Sequence, residues 1–193
     1  MLSDESLEVF FTKARSHNGW LDKDISVEQI QRIYEIMKYG PTSANSCPAR
    51  FTFVKSTEAK ERLKQHLDEG NIEKSMTAPA VVIISYDTKF YEKLVKLFPH
   101  TDAKSWYEGK PEKIKSTAQM NATLQGAYFI MAARSIGLDC GPMGGFNNGT
   151  LDTEFFPDKS KKSIFICGIG YGDHSKVFPR LPRLTFDESC VII

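Results

Sequence analysis

Pro41-Thr42-Ser43-Ala44-Asn45-Ser46-Cys47-Pro48-Ala49 joins a strongly marked helix to an apolar strand. Small hydrogen-bonding residues fill the stretch, and residues of this kind build no core. Anchored at both ends, it reads as a rigid polar wall suited to a flat polar ligand. The alternative is a plain connector, since Pro, Ser and Asn dominate loops in any case. Upstream, Ser26 and Gln29 form a capping-box pattern, and Ile25 and Ile30 stand where a hydrophobic staple would place them. Ile30, Ile33 and Met37 supply the buried stripe, and Gly40-Pro41 ends the helix. Downstream, residues 50–56 (Arg-Phe-Thr-Phe-Val-Lys-Ser) alternate as a strand does.

Further out, Leu7, Phe10, Phe11 and Ala14 fall at helical spacing, which predicts an amphipathic helix over residues 3–15. Helices are expected from Thr57 to about Leu67, over about Ile72–Met76, and around Lys89–Leu97. Residues 80–86 form an unbroken apolar run, as in a central strand covered on both faces. The segment from Phe98 to Gly109, with Trp106 and Tyr107, reads as a mobile flap. The longest helical pattern runs from Pro111 to Ile136 and stops at Gly137. Its second half is rich in small residues, which suits a central or subunit-interface helix. Residues 162–171 form the last clear strand, and the apolar tail from Leu184 is expected to be tied down. This mixture of helices and strands predicts an α+β sandwich in a single domain, residues 1–193.

Bulk properties exclude several classes. Of 193 residues, 41% are apolar and 25% charged, an ordinary globular composition. A net charge of +1 generates no field for nucleic acid or anionic membrane. The apolar runs are too short to span a bilayer, and the acidic N-terminus does not read as a signal peptide. Cys47, Cys140, Cys167 and Cys190 lie far apart, without CxxC or histidine spacing, so free thiols in a cytoplasmic protein are expected rather than zinc or disulfides.

Several groups could carry chemistry. Arg15 and Ser16 suit a phosphate, although Arg is also favoured near a helix C-terminus by the dipole. His17 alone is more often a satisfied histidine than a ligand contact. Asn71 and Lys74 share a helix face, where a Lys could stabilise negative charge; a turn Asn and a surface Lys are the commoner case. Gly141-Pro142-Met143-Gly144-Gly145-Phe146 allows close backbone approach to a ligand. It lacks the strand–GxGxxG–helix context of a Rossmann site, as does Gly168-Ile169-Gly170-Tyr171-Gly172. Lys176, Arg180 and Arg183 would complete a phosphate cluster, or form a solvated basic tail. A thiol enzyme built on Cys47 is the weakest option, because no basic neighbour activates it.

Together these segments resemble the nitroreductase-like FMN-dependent family. The resemblance rests on Ala14-Arg15-Ser16-His17-Asn18-Gly19-Trp20, Tyr39 to Asn45, Gly141-Pro142-Met143, Gly170-Tyr171-Gly172-Asp173 and Arg180-Leu181-Pro182-Arg183-Leu184. Leu97-Phe98-Pro99-His100 and His17-Asn18-Gly19-Trp20 look most like its malonic semialdehyde reductase branch. The resemblance implies a nitroreductase-like α+β fold, a central mixed or antiparallel sheet surrounded by helices, and an intertwined homodimer with FMN at the interface.

Carried over by position, Arg15, Ser16 and His17 match the first phosphate- and ring-contacting segment. Pro41, Thr42, Ser43 and Asn45 match the loop given by the other subunit, and Asn71 and Lys74 a pair at the flavin edge. Pro142, Met143, Gly144 and Gly145 match the segment beside the ring, and Arg183, with Arg180 a weaker match, the basic phosphate residue. Gly144 stands where relatives often carry Glu, Asn18 and Gly19 where many have a second basic residue, and Ser46-Cys47-Pro48-Ala49 replaces a common Ser-Gln-Pro-Trp. The implied activity is hydride transfer from NADH or NADPH through FMN to a small-molecule acceptor by a ping-pong mechanism. No protein side chain acts as a covalent catalyst. The narrower branch implies reduction of 3-oxopropanoate in pyrimidine degradation. Nitroaromatics or quinones are the rival acceptors, and a flavin-binding module with little turnover is the rival class.

Overall fold

The computed structural model describes residues 1–193. Its helices are α1 (Asp4–Leu7), α2 (Val27–Met37), α3 (Thr57–Lys64), α4 (Glu69–Met76), α5 (Leu94–Leu97), α6 (Pro111–Ser135), α7 (Asn148–Phe155) and α8 (Phe186–Ser189). The strands are β1 (Ala49–Val54), β2 (Ala80–Asp87), β3 (Asp139–Met143) and β4 (Lys161–Gly170). They form one antiparallel sheet in the order β1-β2-β4-β3. No helix is long and apolar enough to cross a membrane.

The sheet is covered on both faces, which is why β2 reads as a continuous apolar run. Alternation sends Ala80, Val82 and Ile84 toward α2 and α6, where they pack with Ile33, Met37, Phe129, Ala132 and Ala133. Val81 and Ile83 point the other way, toward Leu63, Leu151, Phe146 and Trp20. Helix α2 carries the complete Ser26/Gln29 capping box. Gly137, at φ +79°, closes the turn that follows α6. Gly126 lets α6 lie directly on β4, since a Cβ there would stand 2.6 Å from the Phe165 ring.

Several expectations are corrected. The first helix gives way after Leu7 to a π-helical turn, Glu8–Thr12, and buries no residue; Phe11 and Val9 stay exposed. Gly40 does not adopt the left-handed conformation of a helix stop. It is required because a Cβ would meet the Tyr128 ring at 2.1 Å. Helix α3, capped by Ser56, ends at Lys64 rather than about Leu67, and α4 starts at Glu69, three residues earlier than expected. The segment 98–109 is no flap: Ala103 and Tyr107 are buried against Phe90, Leu94 and Ala118. The apolar tail is not tied down within one chain, since Phe186 and residues 191–193 are exposed.

Two elements escaped the sequence reading. β3 runs through Gly141-Pro142, and it tolerates Pro142 because it is the edge strand. α7 is capped by Asn147, whose side chain accepts from the Thr150 N–H.

Candidate functional site

The predicted residues gather at two places, on opposite edges of the sheet. At the β3 edge, the segment Arg15–His17 runs alongside the strand. The His17 N–H donates to the Cys140 carbonyl at 3.1 Å, and Ser16 forms a bridge with Cys140. The approach is close: a Cβ on Gly141 would lie 2.4 Å from the His17 carbonyl oxygen. Past the strand, the Asn71 side-chain amide donates to the Gly145 carbonyl at 2.6 Å, and the Asp68 N–H donates to the same oxygen at 3.1 Å. Gly145 must therefore lack a side chain, whereas Gly144 faces open space. Pro142, Met143 and Gly144 line a shallow hollow with Thr123, Ala127 and Phe165. Lys74 is fixed through its backbone, since its carbonyl accepts from the Trp20 indole at 2.8 Å.

The basic residues divide. Arg180 donates to the carbonyls of Thr12 (2.8 Å) and Ala14 (3.0 Å), and Arg15 donates to the Phe178 carbonyl. These two straps tie the late segment to the start of the Arg15 segment. Arg183 bonds only to the carbonyls of Leu181 and Pro182, at 3.0 and 3.1 Å, so the structure does not bring it to the others. None of Arg15, Arg180 and Arg183 has a carboxylate partner. Guanidiniums bonded only to neutral carbonyls keep their charge for a dianion, which fits a phosphate ester.

His17 departs from its expected place. Its ring is enclosed within the chain at 1% exposure, so it does not face outward beside Arg15. It packs against Gly172, where a Cβ would stand 2.0 Å from Nδ1. Its Nε2 lies 3.3 Å from Asp139 Oδ1, and His174 meets it edge-on with ring centroids 5.0 Å apart. Burial raises the Asp139 carboxyl, but neighbouring His17, the Gly172 N–H and His174 outweigh it and hold the group below its usual value.

At the β1 edge, the Pro41–Ala49 loop is held by one face of α6. The Ser43 N–H donates to Asn121 Oδ1 at 2.7 Å, the Ala49 N–H to Gln125 Oε1 at 2.9 Å, and Tyr128 Oη to the Pro41 carbonyl at 3.0 Å. Residues 121, 125 and 128 share a face by helical spacing. The loop is also strained: Ala44, Asn45 and Cys47 have φ of 49°, 49° and 41°. Thr42 Oγ1 accepts from the Cys47 N–H at 3.2 Å, and Asn45 donates to the Leu97 carbonyl at 2.9 Å. Beneath it, Asp87 Oδ2 accepts from Arg50 and Lys93, each at 2.6 Å. The sequence reading missed the α6 clamp and the roles of Asp139 and His174. For the clamp, the only signal was the helical spacing of Asn121, Gln125 and Tyr128 on a mixed helix.

A family model described as the nitroreductase family matches residues 12–171. The chain belongs to the nitroreductase family. In this family member, the match includes both edges of the sheet and ends before the strap residue Arg180. A protein from Ralstonia nicotianae is 53% identical and is provisionally named an NADH dehydrogenase/NAD(P)H nitroreductase; the alignment covers 100% of this chain and 98% of the relative. A protein of the same provisional name from Polynucleobacter asymbioticus is 52% identical, covering 100% and 98%. Among solved structures, a nitroreductase of Exiguobacterium sibiricum, so named provisionally and solved in complex with FMN, superposes with a TM-score of 0.87 at 20% identity, covering 100% of this chain and 99% of that one. An enone reductase of gut-bacterial fatty-acid saturation, CLA-ER, superposes with a TM-score of 0.83 at 16% identity, with full coverage of both chains. These distant likenesses bear on the fold.

Proposed function

We propose that this nitroreductase-family protein is an FMN-dependent NAD(P)H oxidoreductase acting as a homodimer in the cytoplasm. The observation that carries the reading is the division of the site. The Arg15, Asn71 and Pro142–Gly145 groups stand at the β3 edge and the Pro41–Asn45 loop at the β1 edge. Three strand spacings, about 14 Å of sheet, separate those edges. One chain therefore offers two half-sites, and a second copy is needed to set the loop against the ring-side segment. The relatives' name and the FMN complex of the Exiguobacterium protein support the same assignment.

Bound there, FMN would supply the hydride-transfer chemistry between a reduced nicotinamide and a second substrate. The chain's residues bind and orient. Arg15 and Arg180 would hold the phosphate with Ser16, while His17 supports that segment from within. Backbone at Gly144 and Gly145, with Asn71 fixing the latter, would meet the ring edge, and Lys74 stands on the same helix as Asn71. Thr42, Ser43 and Asn45, on the loop clamped by α6, form the opposite wall. Pro142 and Met143 would exclude water from the ring, and Arg183 would reach the phosphate only if the tail moves. No side chain forms a covalent bond with substrate, and one open face serves donor and acceptor in turn, giving ping-pong kinetics.

For the acceptor, the relatives' shared name favours nitro compounds and quinones, while the Leu97–His100 segment favours 3-oxopropanoate. Purified protein is expected to be yellow, to release FMN rather than FAD, and to sediment as a dimer. A colourless protein that takes up no FMN, or a monomer that holds it fully, overturns the reading. Anaerobic bleaching by NADH or NADPH separates an enzyme from a passive flavin carrier. Turnover with a nitroaromatic and with 3-oxopropanoate then separates the acceptors.

A further inference from the structure

A second site, distinct in chemistry from the flavin half-sites, stands behind the β3 edge. Buried His17 has neither ring nitrogen in a hydrogen bond. That is a costly state for an imidazole unless something else binds it. Its Nε2 is directed at Asp139 but not aligned as a hydrogen bond, and their separation of 3.3 Å is informative. Ligand atoms at about 2.0–2.2 Å from a tetrahedral zinc lie roughly 3.3–3.5 Å from one another. One ligand atom each from His17, Asp139 and His174 falls within 4.8 Å of the others. His174 sits on an exposed short turn, His174–Lys176, where no core packing holds its ring away from the other two.

We propose that His17, Asp139 and His174 bind a divalent transition cation of the zinc type. The donor set supports this class. Two imidazoles and one carboxylate suit zinc or its neighbours and suit magnesium poorly. Asp139 Oδ2 accepts from the Gly172 N–H at 2.9 Å, which orients the carboxylate and leaves Oδ1 free. Entry is open, because His174 is exposed and the Asp139 side chain is 33% accessible. Three protein ligands leave a fourth position for water. The bound ion would staple three segments that sequence keeps apart: the strap before Trp20, the start of β3, and the turn after β4.

The test is zinc binding by the full-length protein as purified, read by titration calorimetry and by metal content after desalting. The expected result is roughly one zinc per chain, no comparable heat with magnesium, and a thermal midpoint that rises with zinc concentration. His174→Gln, on the exposed turn, is expected to weaken zinc by at least about tenfold while the protein remains folded. Asp139→Asn, which keeps the acceptor for Gly172, is expected to do the same. Wild type that retains no zinc overturns the proposal, as do variants that bind like wild type or magnesium binding of equal strength. None of these readouts depends on flavin or turnover.

Discussion

At the β3 edge, position is set by close backbone contact. At the β1 edge, it is set by hydrogen bonds from a helix to a strained loop. Gly141 and Gly145 stand where a single added carbon would collide with backbone or with a fixed polar side chain. Ala44, Asn45 and Cys47 instead hold a conformation that L-residues resist, kept there by Asn121, Gln125 and Tyr128. Packing leaves one arrangement. A clamped loop keeps its arrangement only while its partners are intact. The β3 edge should therefore fail through sterics and the β1 edge through loss of single bonds.

The largest effect should come from Gly141→Ala. The new Cβ would lie 2.4 Å from the His17 carbonyl oxygen, and two backbones cannot both yield. A loss of about 3 kcal/mol is expected in urea unfolding, with weakened flavin retention. Gly144→Ala, three residues on with nothing within 4 Å, should stay within about 0.5 kcal/mol of wild type. Equal effects at the two positions would break the steric account of this edge.

Second is Asp87→Asn, beneath the β1-edge loop. Burial raises the Asp87 carboxyl, but Lys93, the Lys89 N–H and Arg50 together hold it below its usual value. Its stabilising contribution is therefore complete above the ordinary aspartate value of about 4 and is lost as pH falls through the lower folded value. The Asn variant leaves Arg50 and Lys93 without their carboxylate and should cost about 2 kcal/mol at neutral pH. The gap between variant and wild type should close below about pH 4, and a gap that is flat down to pH 2 would remove Asp87 from the account.

Third is Asn121→Ala, which deletes the acceptor of the Ser43 N–H. Ser43 is exposed and water can replace the bond, so the cost should be only about 1 kcal/mol. Flavin release should accelerate more than stability falls. The reverse order would mean that the clamp serves the core rather than the loop.

What the sequence made legible follows the range of the forces involved. The capping box of α2, the unbroken apolar run of β2 and the end of α6 before Gly137 are each written within a few residues, and each stands where local pattern places it. Arg15, Ser16, Asn71, Gly145 and the Pro41 loop were all nameable, and the fold places them at two opposite edges of the sheet. β3 was illegible because Gly-Pro carries no strand signal unless the strand is known to be an edge. Residues 98–109 looked loose because their partner Ala118 lies on a helix further along the chain. The family resemblance placed His17 at the ligand, and nothing near it in sequence announces its neighbours Asp139, Gly172 and His174. Gly40 looked like a helix stop, and its reason, the Tyr128 ring, is 88 residues away.

The smallest effect has the sharpest sign. Ala44 sits at φ 49°, a region that costs an L-residue about 1 kcal/mol and glycine almost nothing. Ala44→Gly removes that strain but adds freedom to the unfolded chain, and Ala44 gives up its packing near the Phe90–Tyr107 cluster. A net gain of no more than about 0.5 kcal/mol is expected in urea unfolding. If the strained geometry pre-organises the wall for flavin, the same change should loosen FMN retention even as the protein becomes more stable, because a glycine loop samples other conformations. Asn45→Gly, at the same φ, should do less, since asparagine already tolerates the left-handed region. Stability and retention that rise together would show that the strain is incidental, and the β1 edge would then be held by the α6 bonds alone.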